Sequence, residues 1–179
     1  MRLISVVAAC VAALMCSAGS AIAQQVTKES VPGITNLARL ETTVACAGAI
    51  TPESVPAIRE MGFASIINLR LATEQGAEIE KNRAAAEAAG LRYFHVPFSG
   101  SAPEASAAGQ FLDAITSPGA EPAFIHCAGG GRAAAMWLIK RLAVDHWEVE
   151  KAVTEAIALG QTNTTLRQWA IDYAAAHRR

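Results

Sequence analysis

The residues best suited to chemistry are in the run Cys127-Ala128-Gly129-Gly130-Gly131-Arg132, between a short apolar segment and a long alanine-rich stretch of helical spacing. A thiol at a strand tip, small residues that let the backbone curl, and a helix start behind them bring several N–H groups together. With the helix dipole, those groups form an anion cradle, and the same field stabilises a thiolate. Arg132, at the helix start, carries a planar fork that can hold two oxygens of a tetrahedral anion, which the point charge of a lysine does not match. Cys127 is therefore the candidate nucleophile, Arg132 the clamp, and the amides of Ala128, Gly129, Gly130 and Gly131 the candidate anion-binding groups. The bland alternative is a small buried thiol beside a tight strand-to-helix turn, but three glycines closed by an arginine are more than such a turn needs. His126 either braces the loop through backbone hydrogen bonds or is an ordinary polar strand end.

Cleaving an unactivated ester also needs a proton donor. Two carboxylates are candidates: Glu104, directly behind Pro103, and Glu74, shortly after Leu69-Arg70. Each has a structural alternative. Glu104 suits the first turn of a helix, where acids meet the positive end of the dipole, and Glu74 suits an ion pair with Arg70. Cys46 reads as a buried strand residue or as a resolving partner for Cys127, and a bridge would need Cα atoms within about 7 Å.

The elements that must position these residues alternate in type. Residues 44–50, 63–69, 91–96 and 123–126 read as strands; residues 51–61, 77–89 and 104–115 read as helices, with Gly62 and Gly90 as stops. The loop 97–103 carries no aspartate. Beyond the cysteine loop the chain reads as helical over 133–144, 146–159 and from 164 to the end. Such alternation implies an α/β fold with a mostly parallel sheet of four to five strands flanked by helices, and in such sheets the site lies beyond the carboxyl ends of the strands.

Met1-Arg2, the apolar run 3–18 and the small residues up to Ala23 form a secretory leader. The expected organisation is thus a signal peptide over 1–23, an N-terminal arm over 24–42 and a catalytic domain over 43–179, periplasmic or secreted after cleavage near Ala23. A net charge of −1 argues against a nucleic-acid surface or an anionic membrane partner and leaves a small anionic or phosphorylated substrate. Two cysteines outside the leader make neither a disulfide framework nor a zinc site, and no cofactor or metal is called for.

The run FIHCAGGGR, with INLR two strands earlier and HVPF before the intervening helix, resembles the small bacterial protein-tyrosine and dual-specificity-like phosphatases, including the beta-lactamase-hydrolase-like group. The resemblance spans residues 45–173. It implies a dual-specificity-phosphatase-like fold and hydrolysis of phosphomonoesters through a phosphocysteine on Cys127, with Arg132 and the loop amides on the phosphoryl oxygens. Three features depart from the usual pattern: the loop has one residue fewer between Cys and Arg, Ala133 stands where a Ser or Thr is usual, and loop 97–103 lacks the acid. Cys-x4-Arg is also the loop length of many rhodaneses, which leaves a sulfurtransferase working through a Cys127 persulfide as an alternative. A non-catalytic anion-binding domain is another.

Overall fold

The computed structural model describes residues 25–41 and 43–179; the leader expected over 1–23 lies outside them. Four strands, β3 (Val44–Ala47), β4 (Ser65–Asn68), β5 (Arg92–His95) and β6 (Ala123–His126), pair in parallel. β3, β4 and β6 are buried at every position, as expected of parallel strands covered on both faces. Two further strands, β1 (Thr27–Val31) and β2 (Ile34–Leu40), form a hairpin that adds to β3 in antiparallel fashion. The sheet order is β1-β2-β3-β6-β4-β5, so β6, which delivers the cysteine loop, sits between β3 and β4.

The hairpin corrects the expectation of an N-terminal arm and raises the strand count to six. Its sequence, TKESVPGITNLARL, alternates poorly because β2 contains a bulge. Glu29 faces Leu37 and Val31 faces Ile34, so one residue of β1 opposes two of β2. The inward side chains Leu37, Ala38 and Leu40 are nonetheless fully buried.

Helices cover both faces. A 3₁₀ turn at Pro52–Ser54 leads into α1 (Val55–Glu60), which packs with α2 (Ile79–Ala88) over a core containing Phe63, Ile66 and Phe124. On the other face α3 (Ala105–Ile115), α4 (Gly131–Ala143), α5 (Val149–Ala158) and α6 (Thr164–Ala176) enclose a larger core that includes Cys46, Ile125 and Cys127. α4 is the axis of this layer. Its first turns carry Ala133, Ala134 and Ala135, all buried, and their small side chains let the helix sit close under the sheet.

The far end of α4 is held by a polar cluster in an apolar setting. Glu155 of α5 accepts from Trp137 Nε1 at 2.6 Å and from Arg141 Nε at 2.7 Å. The Arg141 guanidinium lies 4.4 Å from the Trp137 ring and 3.9 Å from the Trp147 ring. Trp137 is thus a core residue. Removing one member of a buried, hydrogen-bonded ion pair strands the other. Glu155→Ala should lower unfolding stability by about 3–5 kcal/mol, read from urea denaturation, and a loss under about 1 kcal/mol would show the cluster to be solvated.

Candidate active site

The cysteine loop leaves the sheet at its centre. Cys127 N–H donates to the Ala47 carbonyl at 3.1 Å, prolonging the β3–β6 pairing by one residue, and the chain then turns into α4. Gly130 donates its N–H to Cys127 Sγ at 3.1 Å, so the sulfur already accepts one of the loop amides. Cys127 is buried while Ala128 and Gly129 face outward. Only one of the three glycines is imposed by its conformation: Gly130, the residue capping α4, has φ +101°, which side-chain-bearing residues rarely adopt. A second glycine matters that the sequence reading passed over. A Cβ at Gly48 would stand 2.8 Å from the Ala128 carbonyl oxygen, so the glycine lets the loop close onto the end of β3.

Arg132 reaches toward the carboxyl ends of β4 and β5. It meets Glu74 end-on, with Nη1 to Oε1 at 2.6 Å and Nη2 to Oε2 at 2.8 Å, and donates Nη1 to the Phe98 carbonyl at 2.8 Å. The Nε–H and the second Nη2–H are given no oxygen acceptor among the described residues, and these two parallel donors are the side edge that fits two oxygens of an anion. Burial works against the charge on Arg132, but Glu74 and the nearby Cys127 sulfur outweigh it and raise its pKa.

Glu74 is therefore not placed as the proton donor it was considered for. Hydrogen bonds from Arg132, opposed by partial burial and helped by the Leu71 N–H and Arg70, lower its pKa to about 2. A carboxylate ionised at neutral pH and held by two arginines orients the clamp instead. Arg70 completes the chain: it is buried, donates Nε to Glu74 at 3.2 Å, and donates Nη1 and Nη2 to the carbonyls of Gly76 and Gln75 at 2.7 and 2.6 Å. It thereby holds the loop that carries Glu74, and the ion pair expected between the two residues is formed.

Glu104 stands just before α3 with an extended backbone and an exposed side chain, which accepts from Ser106 Oγ at 3.4 Å. It is the N-cap of α3, one residue ahead of the first turn expected of it. The loop in front of it lies against the clamp, since a Cβ on Gly100 would stand 3.2 Å from Arg132 Cγ. His126 is fully buried, and burial, with the charge of Arg70 next, lowers its pKa to about 3. The backbone of Cys127 and Gly48 favours the protonated ring only weakly against that, and neither ring nitrogen has a partner of full hydrogen-bond geometry. The ring is thus neutral near pH 7 and cannot serve there as an acid.

Cys46 faces the same core as Cys127, and both thiols are free. Parallel register sets Cys46 opposite Ile125, which puts the Cα of Cys127, two residues on, roughly 8 Å away. That exceeds bridging distance. Burial, then the Cys127 sulfur and Glu155, push the Cys46 thiol well above its ordinary pKa. The resolving-partner reading is set aside in favour of a packed strand residue.

A family model described as "Beta-lactamase hydrolase-like protein, phosphatase-like domain" matches residues 36–144, from β2 through the end of α4. The chain belongs to that family. No curated protein matches the sequence. Among solved structures, a putative phosphatase (DUF442) from Shewanella putrefaciens CN-32 aligns with a TM-score of 0.67 at 16% identity, covering 82% of this chain and 96% of that one. TpbA from P. aeruginosa aligns at 0.61 and 18% identity, covering 86% and 90%. The core catalytic domain of the PP-IP phosphatase SIW14 from S. cerevisiae, in complex with citrate, aligns at 0.62 and 19% identity, covering 80% and 88%. These likenesses establish a phosphatase-like fold, as the sequence motifs implied.

The Glu74 ion pairs make a prediction with a definite sign. A carboxyl whose folded pKa lies below its unfolded value of about 4.3 adds stability that is fully present above that unfolded value and lost as pH falls through the folded one. The stability gap between the native chain and Glu74→Gln should be constant from neutral pH down to about 5 and close as pH approaches about 2. A gap that vanishes already at pH 5 would contradict the ion-pair geometry.

Proposed function

We propose that the chain is a cysteine-dependent phosphatase that hydrolyses phosphomonoesters through a phosphocysteine. The observation that carries this reading is the convergence on one sulfur: Cys127 Sγ accepts the Gly130 N–H, with the side edge of a pre-oriented Arg132 next to it. In the first step the Cys127 thiolate attacks phosphorus, the S–P bond forms, the P–O bond to the leaving group breaks, and the departing oxygen leaves as an oxyanion that takes its proton from water. In the second, water attacks phosphorus, the S–P bond breaks, phosphate leaves and the thiolate returns. Throughout, the amides of residues 128–131 and the Arg132 fork hold the equatorial oxygens, where pre-set donors act most strongly. Family membership supports the reaction class. A Cys-to-Ser variant of TpbA solved in complex with pTyr supports aryl phosphates as first substrates to try. The leader over residues 1–23 fits a periplasmic or secreted location.

A second reading rests on the four residues between Cys127 and Arg132: a shorter loop suits sulfur transfer, in which Cys127 accepts the outer sulfur of thiosulfate as a persulfide and sulfite departs. A non-catalytic anion-binding domain would do neither. Assays with p-nitrophenyl phosphate and with thiosulfate plus cyanide separate the three. The expected result is release of p-nitrophenol without formation of thiocyanate, and the reverse would overturn the proposal.

Cys127→Ser should remove p-nitrophenyl phosphate turnover while leaving the circular-dichroism spectrum unchanged, because the alcohol is not ionised near neutral pH. Retained turnover would exclude Cys127 as the nucleophile. Arg132→Lys should lose at least about tenfold in kcat/KM, since it replaces a fork whose charged hydrogen bonds are worth roughly 1.5–3 kcal/mol each. Near-native kcat/KM would mean the side edge of Arg132 does not meet the substrate.

A further inference from the structure

The bulge in β2 has a geometric purpose. Asn36 sits in it with φ +48°, a left-handed conformation that asparagine tolerates better than most side-chain-bearing residues. β-bulges commonly re-aim a side chain next to a site, and this one turns the Asn36 side chain toward the cysteine loop, where Nδ2 donates to the Gly129 carbonyl at 3.2 Å across 93 positions of sequence.

The carbonyl of residue 129 and the N–H of residue 130 belong to one trans peptide unit, and in such a unit the two groups point in opposite directions. Asn36 holds the carbonyl on one side, and the N–H meets Cys127 Sγ on the other. The preceding unit is clamped in the same way, because Ala49 N–H donates to the Ala128 carbonyl at 3.0 Å and so turns the Gly129 N–H away from Ala49. A segment with three glycines in a row can rotate its peptide planes at little steric cost, and within the loop itself the Gly130 N–H to Sγ contact is the one hydrogen bond described that holds them. The two carbonyl clamps come from outside the loop, and both lie in one hydrogen-bonded patch: Gly48 N–H donates to the Thr35 carbonyl at 2.7 Å and Thr35 N–H to the Ala49 carbonyl at 2.9 Å.

We propose that Asn36 is a positioning residue of the site: its side-chain amide fixes the 129–130 peptide plane so that the Gly130 N–H faces the Cys127 sulfur and the bound oxyanion. The hairpin β1–β2, an N-terminal addition to the parallel sheet, is then part of the reaction machinery. This rests on the anion-cradle reading above, and the test separates the two.

Asn36→Gly keeps the left-handed backbone accessible and deletes the donor, so the fold should be kept with the melting temperature lowered by no more than about 2–4 °C. Asn36→Asp keeps a short polar side chain and sets a carboxylate against the Gly129 carbonyl. Two measurements are made on each full chain: affinity for tungstate by calorimetry, and hydrogen exchange of the Gly130 amide against interior amides of α4. Losing one neutral hydrogen bond is worth about fivefold. The expected result is tungstate binding weakened about fivefold in Asn36→Gly and further in Asn36→Asp, with Gly130 exchanging faster and α4 amides unchanged. Native tungstate affinity together with native Gly130 protection in Asn36→Gly would overturn the proposal. If the native chain does not bind tungstate, the cradle reading fails, and Gly130 exchange alone then decides whether Asn36 holds the peptide plane.

Discussion

A guanidinium whose side chain is only 15% exposed needs a standing counter-charge, and for Arg132 that is Glu74. Much of the site follows from this pairing. Because Glu74 takes the end of the fork and the Phe98 carbonyl takes the outer Nη1–H, the remaining donors lie along one edge, so the direction from which an anion can be gripped is set before it arrives. Glu74 in turn stays where it is because Arg70 ties the 74–76 segment to the end of β4. A buried charge chain of this kind contributes little net stability by itself, since desolvation offsets much of the attraction. Its value is in geometry, which electrostatic catalysis needs more than it needs a stronger charge.

The same carboxylate shows why the sequence misleads about roles. Glu74 lies four positions after Arg70, and that local pair was legible from spacing alone. Its second partner is 58 positions away, brought near only when β4 and β6 pair, and no local pattern announces it. The cysteine loop is the opposite case. Cys127, the small residues and Arg132 form one continuous turn whose chemistry depends on its own neighbours, so it could be read directly. The four parallel strands were legible for a similar reason: the apolar runs around β3, β4 and β6, and the aromatic pair of β5 between Leu91 and Val96, set between helical stretches, allow few other arrangements.

The hairpin escaped that logic. Its bulge breaks the two-residue alternation by which strands are recognised, and Asn36 sits where a turn would be the usual reading of asparagine. Gly48 escaped for a related reason, because a glycine at the end of a strand is unremarkable until the Ala128 carbonyl is seen above it. In both cases the informative contact is with a backbone carbonyl of the cysteine loop, a group every residue possesses and which therefore leaves no trace in composition.

The position of β6 also governs the order in which the fold can be completed. β3 and β4 touch β6 but are not paired with each other, and β6 is the last strand to leave the ribosome. Without it the pairing of the sheet would be divided in two, one part ending at β3 and the other made of β4 and β5. Cys46 lies on β3, in the part of the chain made before β6, whereas Cys127 directly follows β6. The native register keeps the two thiols too far apart to join, but a growing chain has no such register. A bridge between Cys46 and Cys127 would therefore have to form before the central strand is in place, and it is the pairing of β6 with β3 that holds the two thiols apart.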